Sequence, residues 1–130
     1  MPPMIEKARS SSFDISDLLV KKIEIGGKLI FSPIDSEVRN TQTGEKFKMP
    51  PVSARLFSCL LSDVNKIMTR EDLMKKVWGN YGFVVGANSI NQAIWALREI
   101  LEAAEPGSRY IRTIPRIGYC FIGDVKICKA

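Results

Sequence analysis

The chain has 130 residues, of which 45% are hydrophobic, and a formal net charge of +5, which indicates one folded domain with an apolar core. It contains no histidine, and its three cysteines (Cys59, Cys120 and Cys128) show no Cys-x-x-Cys spacing. This composition excludes zinc fingers, His-based catalytic triads and His-ligated metal sites, so we expect no cofactor and no enzyme. Because no apolar run approaches the roughly 20 residues that span a bilayer, and no leader pattern begins the chain, we expect a cytoplasmic location.

The excess positive charge is concentrated near the C-terminus. Residues 1–105 are almost neutral, whereas residues 106–130 carry five Lys or Arg side chains against one Asp. The five are Arg109, Arg112, Arg116, Lys126 and Lys129. A local basic patch on a neutral body is typical of a surface that binds a polyanion. A solvated basic tail is the alternative that charge alone leaves open.

The first part of the chain predicts an arm followed by short strands. Residues 1–26 form a poorly defined arm in which Ile15, Leu18 and Leu19 have helical spacing, and Gly26-Gly27 then interrupts the chain. Apolar and alternating patterns predict a small antiparallel sheet from strands at residues 29–31, 37–39 and 45–49.

Three helices are predicted next. Two consecutive prolines and apolar residues at i, i+4, i+7 and i+8 from Val52 predict a first helix that ends near Asp63. Thr69 as N-cap, followed by two acidic residues, predicts a second helix that ends at Gly79. The longest helix is predicted over residues 88–104, before a Pro-Gly pair.

The chain ends in a predicted hairpin with strands at residues 110–114 and 119–122 and a basic turn between them. The order sheet, three helices and hairpin predicts an α+β fold, a winged helix-turn-helix with an N-terminal antiparallel sheet. We expect the domain to span residues 27–124, between the N-terminal arm and a C-terminal tail at residues 125–130.

The longest helix separates into two faces. At about 100° per residue, one arc gathers the apolar side chains and the opposite arc gathers Asn88, Asn91, Gln92, Trp95, Arg98 and Glu99. The first two turns of this outer face are rich in amides and free of acid, which suits a helix entering a major groove, where Asn and Gln pair with adenine edges. Its N-terminus also attracts phosphate. An ordinary amphipathic helix with a solvated face is the alternative.

Two side chains on the outer face allow more than one interpretation. Trp95 lies opposite the core residues, so it could contact DNA, pack beneath the hairpin or lie in a dimer interface. Arg98 lies within reach of phosphate, and its alternative is an ion pair with Glu102 at i+4.

Residues 69–123 resemble the DNA-binding domain of OmpR/PhoB-type regulators, and within them the ToxR and CadC group of transcriptional activators. The segments that carry this resemblance are Thr69-Arg70-Glu71-Asp72-Leu73, Val77-Trp78-Gly79, Ser89-Ile90-Asn91-Gln92-Ala93-Ile94, Leu97-Arg98 and Tyr110-Ile111-Arg112-Thr113-Ile114-Pro115-Arg116-Ile117-Gly118-Tyr119. The last segment is specific, because the C-terminal hairpin of the ToxR group, called the wing, carries the motif Thr-Val-Pro-basic-x-Gly-Tyr. Residues 28–61 fit the family more loosely.

The resemblance implies a role for each matching position. It places Asn88 and Ser89 on phosphate and Asn91 and Gln92 on bases. It also places Trp78 and Arg98 on the DNA backbone. In the basic wing it places Thr113 and Arg116, beside Arg112, on phosphate or in the minor groove.

The resemblance also implies protein partners. The loop 79–87 matches a segment that contacts RNA polymerase in some members, through Tyr81, Phe83 and Val84 here, although packing under the loop is the alternative. A homodimer on DNA is a further expected assembly. Members of the ToxR group continue into a membrane span, so we expect either a stand-alone regulator or the cytoplasmic part of a membrane-anchored one.

Two departures from the family pattern affect these expectations. Many members have basic residues where this chain has Trp95 and Ala96, so the wing should contribute more of the phosphate affinity. The arm is also too short for the receiver domain that precedes this domain in response regulators.

We expect a sequence-specific double-stranded DNA-binding transcriptional regulator. The alternative is a winged-helix protein–protein interaction module, which would need neither a basic wing nor an acid-free helix start.

Overall fold

The computed structural model describes residues 21–79 and 86–128, which form eight strands and three helices. The strands are β1 Ile23–Ile25, β2 Leu29–Ser32, β3 Glu37–Asn40, β4 Lys46–Lys48, β5 Ile67–Thr69, β6 Ile111–Ile114, β7 Gly118–Phe121 and β8 Val125–Ile127. The helices are α1 Pro51–Leu61, α2 Arg70–Val77 and α3 Ala87–Ala104. This order confirms the predicted α+β architecture of a sheet, three helices and a hairpin.

The N-terminal sheet has five antiparallel strands in the order β4-β3-β2-β1-β8. Strand β8 pairs with β1, with Ile23 opposite Ile127, and the side chains of Ile23 and Ile25 are fully buried. The domain therefore extends beyond the expected limits at residues 27 and 124, because a strand from each flanking segment joins the sheet. The helical spacing expected around Ile15 lies outside the described residues.

A second sheet has the order β5-β7-β6 and includes a strand that the sequence pattern did not predict. This strand, β5, lies immediately before α2 and pairs antiparallel with β7, so that Met68 lies opposite Tyr119 and Thr69 opposite Gly118. A Cβ atom added to Gly118 would collide with the main-chain oxygen of Met68. The close approach of the two strands therefore requires glycine at position 118.

Aromatic packing joins the two sheets through α1. The ring of Phe57 lies 4.7 Å from that of Phe31 in β2 and 5.9 Å from that of Phe121 in β7, centroid to centroid. All three side chains are fully buried, and each such burial contributes about 1.5–3 kcal/mol to stability. Phe57 thereby fixes the hairpin side of the molecule against the N-terminal sheet.

The helix ends are tied to neighbouring elements. Thr69 Oγ1 accepts a hydrogen bond from the Asp72 amide at 3.0 Å, which confirms the predicted N-cap of α2. Asn40 Nδ2 in β3 donates to the Ala104 carbonyl oxygen at the end of α3 at 2.9 Å. These bonds satisfy groups that a helix end leaves unpaired.

Within the described part of the chain, no helix combines the length and apolar character needed to cross a membrane.

Candidate nucleic-acid interface

Helix α3 has the two faces that the sequence predicts. Its buried side chains include Ile90, Ala93, Ile94, Leu97 and Leu101. Its exposed side chains include Asn88, Asn91, Gln92, Trp95 and Glu99. The amide groups on the outer face are therefore accessible to a partner.

The N-terminus of α3 carries no compensating group. Gly86 is the N-cap and makes no side-chain capping hydrogen bond, and the first turn contains no acidic residue. The side chain of Asn88 is exposed and that of Ser89 is partly exposed. Because the positive end of the helix dipole is not neutralised, this end of α3 favours an anion such as phosphate.

Trp95 projects into solvent from the middle of the outer face. Its side chain is 66% exposed. The interpretation that it packs beneath the hairpin is therefore wrong for the structure of the free chain, and contacts with DNA or with a second copy remain. An exposed indole offers a large rigid apolar surface at the centre of this face.

A cluster of three side chains joins the start of α2, the start of α3 and strand β7. Arg70 Nη2 donates to Asn91 Oδ1 at 2.7 Å, and the Tyr119 hydroxyl donates to the same oxygen at 3.2 Å. The Arg70 guanidinium also lies 5.8 Å from the centroid of the Tyr119 ring. Asn91, which was expected to contact a base, is thus held in place by two neighbours.

Arg98 connects α3 to strand β6. Its Nη2 atom donates to the Ile111 carbonyl oxygen at 2.9 Å and to Thr113 Oγ1 at 2.8 Å. The alternative, an ion pair of Arg98 with Glu102, is absent from the described residues, and Glu102 Oε2 accepts the Gly107 amide at 3.0 Å. Through Nη2, Arg98 therefore holds α3 against β6.

Helix spacing places Trp95 between these two connections. Asn91, Trp95 and Arg98 lie at i, i+4 and i+7 of α3, on one stripe of the helix. Asn91 is bonded to β7 and Arg98 to β6, so the stripe follows the junction of α3 with the hairpin. A partner that touches both α3 and the hairpin would therefore meet Trp95.

The hairpin β6–β7, here called the wing, has an exposed basic tip. Arg116 lies in the turn with a φ of 67°, and the Ile117 carbonyl oxygen accepts the Arg70 amide at 3.1 Å. The side chains of Arg112, Thr113 and Arg116 are exposed. Neither arginine forms an ion pair with any described residue, so both guanidinium groups can bind an anion.

The remaining basic side chains are arranged differently from the sequence expectation. Lys126 lies in β8, in the N-terminal sheet, where its Nζ is 3.9 Å from a carboxylate oxygen of Glu24. Lys129 lies outside the described residues. The basic patch expected over residues 106–130 is thus carried, in the described chain, by arginines of the wing and of the segment that precedes it.

Trp78 occupies the core. Its side chain is only 8% exposed and belongs to the main apolar cluster. This burial leaves little of the Trp78 side chain accessible for the expected contact with the DNA backbone. The residue acts mainly as packing at the C-cap of α2.

Cys59 adds no reactive thiol to this surface. Burial raises the pKa of the Cys59 thiol, which keeps it protonated, and Cys59 lies in the core as predicted. No group of three or more potential metal ligands lies together in residues 21–79 and 86–128. The expected polymerase-contact residues Tyr81, Phe83 and Val84 lie outside the described residues.

Sequence reasoning missed Arg70 and Tyr119 as parts of this surface. The sequence marks Arg70 only as the residue after a helix cap and Tyr119 only as a strand residue of the wing motif. The contact between them crosses 49 positions of the chain, and the sequence offers no pattern for such a contact. Their shared hydrogen-bonding with Asn91 is visible only in the fold.

Comparison with known proteins identifies the family. The model described as "Transcriptional regulatory protein, C terminal" matches residues 44–121. The cholera toxin transcriptional activator of Vibrio cholerae is 28% identical over 106 residues, which cover 81% of this chain and 36% of that protein. The chain thus spans little more than a third of that relative's length.

Two solved structures are similar in fold. The DNA-binding domain of CadC from E. coli superposes with a TM-score of 0.74 at 21% identity, over 83% of this chain and 97% of that one. The RstA DNA-binding domain of Klebsiella pneumoniae, solved in complex with the RstA box, has a TM-score of 0.62 at 25% identity, over 78% of this chain and 97% of that one. These findings confirm the winged helix-turn-helix fold and the resemblance to OmpR/PhoB-type and ToxR-like domains. Because the family model covers more than half of its residues, this chain belongs to the family "Transcriptional regulatory protein, C terminal".

Proposed function

We propose that this chain binds double-stranded DNA in a sequence-specific manner and thereby regulates transcription. The observation that carries this proposal is the hydrogen-bonded junction of α3 with the wing, which brings the exposed amides and Trp95 of α3 next to a hairpin that carries two exposed arginines. Helix α3 enters the major groove, and the wing lies on the backbone or in the minor groove. Membership of a transcription-regulator family and the RstA domain bound to its DNA box support the same function.

The side chains divide into those that position the domain and those that read bases. Arg112, Thr113 and Arg116 of the wing, with Asn88 and Ser89 at the uncapped end of α3, contact phosphates. Gln92 reads a base edge, because its amide is exposed in the second turn of α3. Arg98 sets the angle between α3 and the wing, so that both reach the duplex together.

Trp95 supplies apolar contact where basic side chains are few. Its exposed indole lies on the stripe between the two connections to the wing, at the centre of the proposed interface. A thymine methyl group or a deoxyribose is the apolar surface that the major groove offers to such a ring.

The test is a titration of duplex DNA at several salt concentrations. About four to six phosphate contacts per domain predict that log K falls with log salt at a slope of about −4 to −5. Binding should also be tighter to a selected site than to random duplex of equal length. Affinity that does not change between low and physiological salt would contradict the proposal and favour the alternative, a protein–protein interaction module.

We further propose that the loop 79–87 contacts RNA polymerase and that two copies bind DNA as a homodimer. The resemblance to OmpR/PhoB-type domains supports both. Alanine substitutions at Tyr81, Phe83 and Val84 should reduce transcription while DNA affinity stays unchanged.

A duplex carrying two half-sites one helical turn apart should bind two copies cooperatively, and independent binding to the half-sites would contradict the dimer.

A further inference from the structure

The side-chain amide of Asn91 is held in one orientation by a closed hydrogen-bond network. Its Oδ1 atom accepts from Arg70 Nη2 at 2.7 Å and from the Tyr119 hydroxyl at 3.2 Å. The Tyr119 hydroxyl oxygen in turn lies 3.4 Å from Arg70 Nη1, which donates to it. A carbonyl oxygen has two acceptor sites, and both are occupied here.

The chemistry of Arg70 decides which end of the amide points inward. A guanidinium group has only donors, so it bonds to the oxygen of Asn91 and would repel the amide nitrogen. Tyr119 is only 4% exposed, and its ring lies within cation–π distance of Arg70, so the two partners hold each other in place. The Nδ2 group, with its two N–H donors, is therefore the part of Asn91 that is available on the exposed face.

We infer that Asn91 acts on DNA as a hydrogen-bond donor only, and so selects a base that presents an acceptor in the major groove. This inference rests on the proposed function. Guanine presents O6 and N7, and thymine presents O4, whereas cytosine presents only its N4 amino donor. The order of preference at the base that meets Asn91 is therefore guanine or thymine first, adenine next and cytosine last.

The network disfavours the adenine pairing that an asparagine can otherwise make. That bidentate pair requires the asparagine oxygen to accept from the N6 amino group, while the nitrogen donates to N7. Freeing Oδ1 would break a hydrogen bond from the charged Arg70 guanidinium and would leave the hydroxyl of the buried Tyr119 without its acceptor, which is costly. Of the two amides expected to pair with adenine, Gln92 is thus the one whose oxygen makes no hydrogen bond with a described residue.

The experiment selects binding sites from a randomised duplex library with the full chain and its variants, and then measures affinities for duplexes that differ at one base pair. The wild type should favour guanine or thymine over cytosine at one position by about 5- to 10-fold. Asn91→Ala should equalise the four bases at that position alone. Asn91→Asp keeps an oxygen for Arg70 but turns the outer donor into an acceptor, so it should favour cytosine there.

A second pair of variants tests the positioning role of Tyr119. Tyr119→Phe frees one acceptor site of Asn91 without changing charge, so it should raise the acceptance of adenine at the same position. Tyr110→Phe is the matched control, because its hydroxyl donates to Glu105 at 2.7 Å and takes no part in the network. The control should leave all base preferences unchanged. If Tyr110→Phe changed the preferences as Tyr119→Phe does, the effect would come from a general weakening of the fold and not from the network.

The outcomes separate this inference from the proposed function. If the wild type selects adenine at the position that Asn91→Ala relaxes, the donor-only role of Asn91 is wrong. If a site is selected but Asn91→Ala relaxes no position, Asn91 does not read a base and only this inference fails. If the wild type selects no sequence at all, the proposed function itself fails.

Discussion

Arg98 in α3 and Thr113 in the wing are joined by a hydrogen bond of 2.8 Å from Nη2 to the threonine hydroxyl oxygen. The same nitrogen donates to the Ile111 carbonyl oxygen. A side chain that the family resemblance places on the DNA backbone thus connects the two elements that would approach DNA. The angle between α3 and the wing depends on it.

Replacement of Arg98 by methionine should weaken this connection while keeping the aliphatic part of the side chain. Because both hydrogen bonds have a charged donor, we expect a loss of about 1–2 kcal/mol in the free energy of unfolding. Thermal denaturation checks this. Arg109→Met is the matched control, since Arg109 is exposed and loses the same charge, and it should change stability by less than about 0.5 kcal/mol. Equal effects of the two variants would contradict the positioning role.

Replacement of Trp95 by alanine should leave the stability of the free chain nearly unchanged, within about 0.5 kcal/mol, because the side chain is exposed. It should clearly weaken DNA binding, since the indole supplies apolar contact area. Trp78→Ala is the contrasting variant, because a buried tryptophan should cost about 3–5 kcal/mol. Melting curves of dilute protein and duplex titrations measure both effects. If Trp95→Ala instead abolished self-association and spared binding to a single half-site, Trp95 would be a dimer contact.

Arg116 and Gln92 should differ in the kind of affinity that they supply. Arg116→Ala should weaken binding to all sequences alike and reduce the magnitude of the salt slope by about 1, because one phosphate contact is lost. Gln92→Ala should lose about 1–3 kcal/mol on the preferred site and little on random DNA. Arg116→Lys keeps the charge and should retain most of the slope. A proportional loss of specific and non-specific binding in both alanine variants would refute the division of roles.

Gly118 should tolerate no side chain. A Cβ atom there meets the main chain of Met68, which cannot move without disturbing the β5–β7 pairing, so Gly118→Ala should cost about 1–3 kcal/mol. Gly79→Ala is the control, since its Cβ would lie 3.7 Å from Lys75 Cγ, an ordinary contact. Chemical denaturation of both variants measures the difference. A stable Gly118→Ala protein would show that β5 does not pack against the wing as described.

Local patterns predicted the helices and most of the strands. Thr69 as N-cap, the proline start of α1 and the two faces of α3 are short-range features, and the structure has all three. Strands β5 and β8 were missed because each has three residues and pairs only with a strand far along the chain, and β1, which pairs with the neighbouring β2, was assigned to the arm. Pairing of Ile23 with Ile127 joins segments that appear separately as an arm and a tail.

The candidate site was predictable as a surface but not as a network. The helical angle of Trp95 was enough to place it away from the core, and its exposure agrees. The partners of Arg98 and Asn91 were not predictable, because they depend on how the wing folds back on α3. A sequence shows which side chains share a helix face, whereas their hydrogen bonds across elements depend on tertiary packing.

Methylation of a selected duplex by dimethyl sulfate tests the central claim most directly, because the reagent modifies guanine N7 in the major groove and adenine N3 in the minor groove. With α3 in the major groove, the bound protein should protect guanine N7 within the central base pairs of the half-site. Arg116→Ala should leave that pattern in place at saturating protein. Protection of adenine N3 alone, with every guanine N7 still reactive, would contradict the entry of α3 into the major groove.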